Sequence, residues 1–261
     1  FSEFKELKNI DRTTMVSVLE ESFRSVIAKM FGTDENYDVI VNPDKGDFEI
    51  WRNREVVADE DLQDPNQEIA LSEALRIDAS YEVGEEVTDE VNFASFGRRA
   101  ILNLRQTLAS KILELEKDSL YNKYIDKVGT VVSAEVYQIW KKEMLLLDDE
   151  GNELLLPKNE QIPSDFYRKG ESARAVVARV DNKNNNPKII LSRTSPVFLQ
   201  RLFEMEVPEI NDGLITIKKI ARIPGERAKI AVESYDDRID PVGACVGVKG
   251  SRIHGIVREL R

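Results

Sequence analysis

The chain has 261 residues, 41% of them hydrophobic and 33% charged, with a formal net charge of -11. That length supports two or more cores, and no window approaches the roughly 18 uncharged apolar residues of a membrane span. One cysteine, Cys245, rules out an internal disulfide, and one histidine, His254, leaves neither a histidine-based triad nor a zinc site with enough ligands.

The first residue is Phe1 rather than methionine, and residues 1–11 lack a basic-then-apolar leader pattern, so the chain reads as a piece of a longer cytoplasmic protein. Its charge is unevenly placed. Residues 1–126 hold 15 basic and 28 acidic side chains, whereas residues 127–261 hold 22 and 20. Two halves that differ by this much are expected to meet different partners or to differ in how they stay solvated.

From Asp11, apolar residues at Met15, Leu19, Phe23, Val26, Ile27 and Met30 recur at helical spacing until Gly32. The period then changes to two. Residues 37–41 and 48–57 read as a hairpin around the turn cluster at 42–47. A shorter helix near 71–77, an acidic stretch at 82–90 and a long helical pattern from about Asn92 to Ile125 complete an α+β head over 1–126. Arg98 and Arg99, near the start of that helix, are candidate functional contacts in a domain short of positive charge, with surface pairing to nearby acids as the alternative. Nothing in the head looks catalytic.

Beyond Lys127 come five short apolar or alternating runs, at 128–136, 144–147, 154–156, 173–180 and 188–191, which suit a small closed barrel over 127–195. Its Leu156-Pro157-Lys158, Tyr167-Arg168-Lys169-Gly170-Glu171 and Ile190-Leu191-Ser192-Arg193 resemble the S1 type of OB-fold RNA-binding domain. Where such domains show aromatic and histidine residues on the RNA face, this chain has Leu154, Leu155, Leu156 and Pro157. Tyr137 and Trp140 are then the nearest candidate stacking rings, a poor platform that implies weak RNA binding by the barrel alone.

Over 196–261 the expected order is helix, strand, strand, helix, a glycine loop and a second helix. The loop is Gly247-Val248-Lys249-Gly250, followed by Ser251 and Arg252. That order belongs to the bacterial kind of KH domain, whose GxxG loop clamps about four nucleotides of backbone. Gly247 and Gly250 would let the sugar-phosphate chain approach, and amides at the start of the next helix would face phosphate. Val248 would supply an apolar contact, Lys249 and Arg252 charge, and Cys245 and His254 are assigned to packing and to a helix surface.

Phe96-Gly97-Arg98-Arg99-Ala100, Leu191-Ser192-Arg193-Thr194, Pro224-Gly225-Glu226-Arg227-Ala228-Lys229 and Asp240-Pro241-Val242-Gly243-Ala244-Cys245-Val246-Gly247 extend the resemblance to the whole chain. Together they resemble the NusA family of bacterial transcription elongation, termination and antitermination factors. The resemblance implies a multidomain α+β fold: the head, an S1-type barrel, and a first KH domain of type II that stops at Arg261, before its last strand. It further implies a non-enzymatic cytoplasmic monomer, without cofactor, metal or membrane, whose partners are RNA polymerase, nascent single-stranded RNA and other Nus factors. Two alternatives stay open. One is an RNA-processing or degrading protein, since polynucleotide phosphorylase also joins an S1-type and a KH domain, although in the opposite order. The other is a head that docks on a ribosomal or other protein.

Overall fold

The structure, a computed structural model, describes residues 11–261. The segment 1–10, most of the stretch in which no leader pattern is read, lies outside the described residues. Internal contacts divide the chain into two units, the first ending at Glu116 and the second running Lys117–Arg261.

In the first unit, helix α1 (Arg12–Phe31) begins where the Asp11 carboxylate accepts from the Thr13 amide, and it ends at Gly32, whose φ of 80° only glycine adopts without strain. Phe23, Val26 and Ile27 press on the inner face of a sheet formed by Tyr37, Val39 and Val41 of β1 (Tyr37–Asn42) and Ile50 of β2 (Asp47–Val57). Phe93 closes that core edge-on to Phe23, with ring centroids 5.1 Å apart. β2 pairs antiparallel with β1 and β4 (Glu86–Glu90), and parallel with the short β3 (Glu68–Ala70) that leads into α2 (Leu71–Ile77).

Two features differ from the sequence reading. The acidic stretch contains a strand, β4, in which Val87 alone is buried, so acids at three of five positions conceal the alternation. The long helix α3 (Arg98–Ile125) starts at Arg98 and not at Asn92. A single 3-10 turn, Phe93–Phe96, is capped by the Asn92 side chain, and Gly97 at φ 91° breaks it. The first part of α3 contributes Ala100 and Leu104 to the head core, while Leu120 and Tyr124 pack in the core of the second unit.

That second core fills a closed barrel of β5 (Val131–Ile139), β6 (Glu143–Leu147), β7 (Glu153–Pro157), β8 (Ser172–Lys183) and β9 (Asn186–Ser192). The strands follow the order β5-β6-β7-β9-β8, with the β7 and β9 pair parallel and β8 closing on to β5, which is the OB arrangement. Leu154 and Leu156 point inward and are fully buried as barrel core, whereas Leu155 and Pro157 between and after them are half-buried.

After the barrel, Ser195 caps α4 (Pro196–Glu206) with Pro196 at its first position, where no amide donor is needed. A single turn α5 (Pro208–Asn211), unforeseen in the sequence, precedes the antiparallel pair β10 (Ile215–Ile223) and β11 (Arg227–Ser234). Helices α6 (Pro241–Val246) and α7 (Ser251–Leu260) follow. Phe198, Leu199, Leu202 and Phe203 of α4 and Ile256 of α7 cover one face of the hairpin, where Ile217, Ile220, Ile230 and Val232 stand.

Barrel and hairpin domain share a buried ionic centre. Arg193, immediately after β9, is 1% exposed; its Nε donates to Asp165 Oδ2 at 2.7 Å, and its Nη1 to Glu259 Oε1 at 2.8 Å and to the Arg174 carbonyl at 2.7 Å. Nη2 reaches the Glu259 carbonyl at 2.8 Å, and the guanidinium lies 5.5 Å from the Tyr167 ring and 5.4 Å from that of Phe198. Burial alone would lower the Arg193 pKa, but hydrogen bonds to Asp165 and Glu259 more than offset it, and the group is held charged. At the tip of the hairpin, a Cβ on Gly225 would stand 3.2 Å from Ile162 in the β7–β8 loop, so the turn lies directly on that loop.

Candidate nucleic-acid interface

The glycine loop is built by three unusual backbone conformations in succession. Gly247 takes φ 76° and ψ 171°, Lys249 φ 54° and ψ 28°, and Gly250 φ 76° and ψ 17°. Gly247 has a second reason to be glycine. A Cβ there would meet Arg252 Cγ and Ser251 Oγ at 2.9 Å and the Arg252 amide nitrogen at 3.0 Å. A non-glycine residue in the left-handed region is uncommon and belongs disproportionately to functional sites.

These turns push two side chains outward. Val248 is 82% exposed, and Lys249 beside it is exposed without an acidic partner among the described residues. Gly250 donates to the Gly247 carbonyl at 3.1 Å and the Ser251 amide to the Val248 carbonyl, whereas the amides of Val248 and Lys249 find no acceptor among the described residues. These two amides are donors open to an anion within the loop itself, next to the helix start. Arg252 is partly engaged: its Nη1 donates to Glu209 Oε2 at 2.9 Å and to the Ala244 carbonyl at 2.6 Å, leaving its other donors. Cys245 is buried, with burial pushing its thiol pKa up, and His254 is exposed on α7.

Gly247→Ala should cost about 1–3 kcal/mol of stability, because strain and collision coincide there. Gly250→Ala, which meets nothing nearer than Ile253 Cγ2 at 3.8 Å, should cost about 1 kcal/mol from its left-handed φ alone. Chemical denaturation of the two variants checks the order; an equal cost would remove the collision argument.

On the barrel, a register shift between Val136 and Gln138 leaves Tyr137 as the extra residue of a bulge, which turns its ring outward at 53% exposure. Trp140 stands in the next turn, its amide donating to the Glu143 carbonyl at 2.9 Å, and Lys141 and Lys142 beside it are exposed. Two exposed rings and two exposed lysines thus stand at this end of β5 and β6. Phe166, 68% exposed in the β7–β8 loop, is a further free ring passed over in the sequence; its signal was an aromatic residue in a polar, proline-containing loop. Arg98 and Arg99 belong to the other unit, where both are exposed at the first turn of α3 and neither forms an ion pair among the described residues. Among the described residues no His, Cys, Asp or Glu cluster could hold a metal ion, and no helix is long and apolar enough to cross a membrane.

Comparison with known proteins matches residues 1–118 to the NusA N-terminal domain and residues 193–261 to the NusA-like first KH domain. The transcription termination/antitermination protein NusA of Thermus thermophilus is 35% identical over 265 residues, covering 96% of this chain and 68% of that protein. The chain belongs to the NusA family. NusA of Halalkalibacterium halodurans is 36% identical, covering 97% of this chain and 66% of its own, and NusA of Bacillus subtilis is 34% identical with coverages of 97% and 68%. The chain spans about two thirds of the length of these NusA relatives.

Proposed function

We propose that the chain acts in bacterial transcription as an elongation factor that binds RNA polymerase and nascent RNA and so modulates pausing, termination and antitermination. In this reading residues 1–126 dock on polymerase with Arg98 and Arg99 at the contact, while 127–195 and 196–261 hold single-stranded transcript. The observation that carries it is the loop: Val248 and Lys249 project outward with two unpaired amides between them, a cradle for a phosphate flanked by a cation. Tyr137 and Trp140, followed by Lys141 and Lys142, offer stacking and charge on the barrel, the combination that takes up single strands without strict sequence preference. The role is one of binding, without catalysis, by a cytoplasmic monomer that other Nus factors join.

Replacing Val248 and Lys249 together by aspartate puts two negative charges where the strand lies and leaves the exposed loop folded. RNA binding should weaken, and the slope of log affinity against log salt should flatten by roughly 0.7 to 1.4, one or two phosphate contacts at about 0.7 each. Titration of single-stranded RNA at several salt concentrations, with thermal melting of both proteins, measures it. An unchanged slope with an unchanged melt would make the loop a turn and nothing more.

A further inference from the structure

The sheet of β10 and β11 has a second face. Register places Lys219 opposite Ala231, Ala221 opposite Lys229 and Ile223 opposite Arg227 on one side, while Ile217, Ile220, Ile230 and Val232 face the helices on the other. The irregularity between Ile217 and Lys219 puts Lys218 in a bulge, where it pairs with Glu233 at 2.9 Å. Lys219, Arg227 and Lys229 are exposed, and none of the three has an ion-pair or hydrogen-bond partner among the described residues. The neighbours of Lys219 and Lys229 across the ladder, Ala231 and Ala221, are too small to hold anything away from the backbone, while Arg227 stands opposite Ile223.

These unpaired cations lie in the half of the chain, residues 127–261, where 22 basic side chains balance 20 acidic ones. The acid that the two strands carry, Glu233 opposite Thr216 on this same side, is engaged by Lys218 and leaves the other three cations without a counter-charge. We infer that Lys219, Arg227 and Lys229 form a second RNA-backbone contact, on the solvent face of the β10–β11 hairpin and separate from the glycine loop. The inference rests on the proposed RNA-binding role. Three cations two residues apart along a strand or diagonal across the ladder stand in reach of successive phosphates, since alternate residues on one face of a strand are about 7 Å apart. Neither aromatic rings nor amide side chains interrupt the three, so the contact reads charge and not base sequence.

The test uses the full chain with Lys219, Arg227 and Lys229 all changed to glutamine, beside the Val248→Asp, Lys249→Asp variant, each titrated with oligouridylate and with a mixed-sequence single strand over a range of salt. Loss of three contacts should flatten the salt slope by about 2, at about 0.7 per phosphate, and should weaken both RNAs by the same factor. The melting temperature should stay that of the unaltered chain, because all three side chains are exposed and unpaired. If the loop variant loses affinity and the glutamine variant keeps both affinity and slope, the hairpin face is not an RNA contact while the loop reading stands. If neither variant changes binding, both fall. A glutamine variant that keeps its RNA slope but no longer binds polyglutamate would overturn the inference and give the face to an acidic protein segment.

Discussion

Arg193→Ala should lower the stability of the second unit by about 3–5 kcal/mol, the largest loss expected from any single substitution in this chain. The reason is the charge left behind. The Asp165 side chain is 1% exposed and has Arg193 as its only ion-pair partner among the described residues; without the guanidinium its carboxylate stays buried and unpaired. The Glu259 and Arg174 carbonyls lose a donor at the same time, and the Tyr167 and Phe198 rings lose the cation between them. For a unit of this size the loss corresponds to a fall of roughly 10 °C or more in Tm, read by thermal melting. Arg193→Lys keeps the charge but offers no planar fork to four acceptors in different directions, so it should recover only part. A double change, Arg193→Met with Asp165→Leu, should be milder than Arg193→Ala, since it removes both buried charges. A double variant as unstable as the single one would show that packing, and not the stranded carboxylate, sets the cost.

A loss of about 3 kcal/mol is expected from Asp148→Ala, at the turn between β6 and β7. One Asp148 oxygen accepts from the Tyr124 hydroxyl at 2.5 Å, from Lys123 Nζ at 3.0 Å and from Asn152 Nδ2 at 3.0 Å, and the other accepts the Glu150 and Asn152 amides. Removing it strands a buried hydroxyl and two turn amides, each costing about 1 kcal/mol or more. Burial works to raise the Asp148 pKa, but the hydrogen bonds from Tyr124, Asn152 and Lys123 outweigh it and hold the carboxyl well below the usual range. The sign of the pH effect follows. A carboxyl with a depressed folded pKa contributes stability that is fully present above its unfolded value near 4 and is lost as pH falls through the lower folded value. The gap in stability between the unaltered chain and Asp148→Asn should therefore be constant from neutral pH down to about 5 and narrow below 4. A gap that widens on acidification would contradict the network. Since Tyr124 lies in the barrel core, the last turns of α3 belong to the barrel's stability, and the effect should appear in the Lys117–Arg261 unit.

Much of this protein is determined locally. Asp11 and Gly32 bound α1 through an acceptor for free amides and a residue that tolerates positive φ, both readable from residue type alone. The same holds for the β1–β2 hairpin, the helix starting at Ser195-Pro196, and the paired glycines of the loop, since each depends on neighbours within a few residues. Strand β4 was hidden because burial of a single side chain, Val87, against other elements decided it over an acidic local pattern, and turn α5 because four residues starting at Pro208 are too short to show a helical period. The inward turn of Leu154 and Leu156 came from closure of β7 on β9, a parallel pairing between segments more than 30 residues apart. Arg193 gave no sign of its role, since its two carboxylates lie 28 and 66 residues away and meet only when barrel and helix α7 are packed. The loop's chemistry divides in the same way: glycine spacing was a property of the sequence, whereas which amides remain open and which arginine donors are already spent depended on the hydrogen bonds that the folded turn closes.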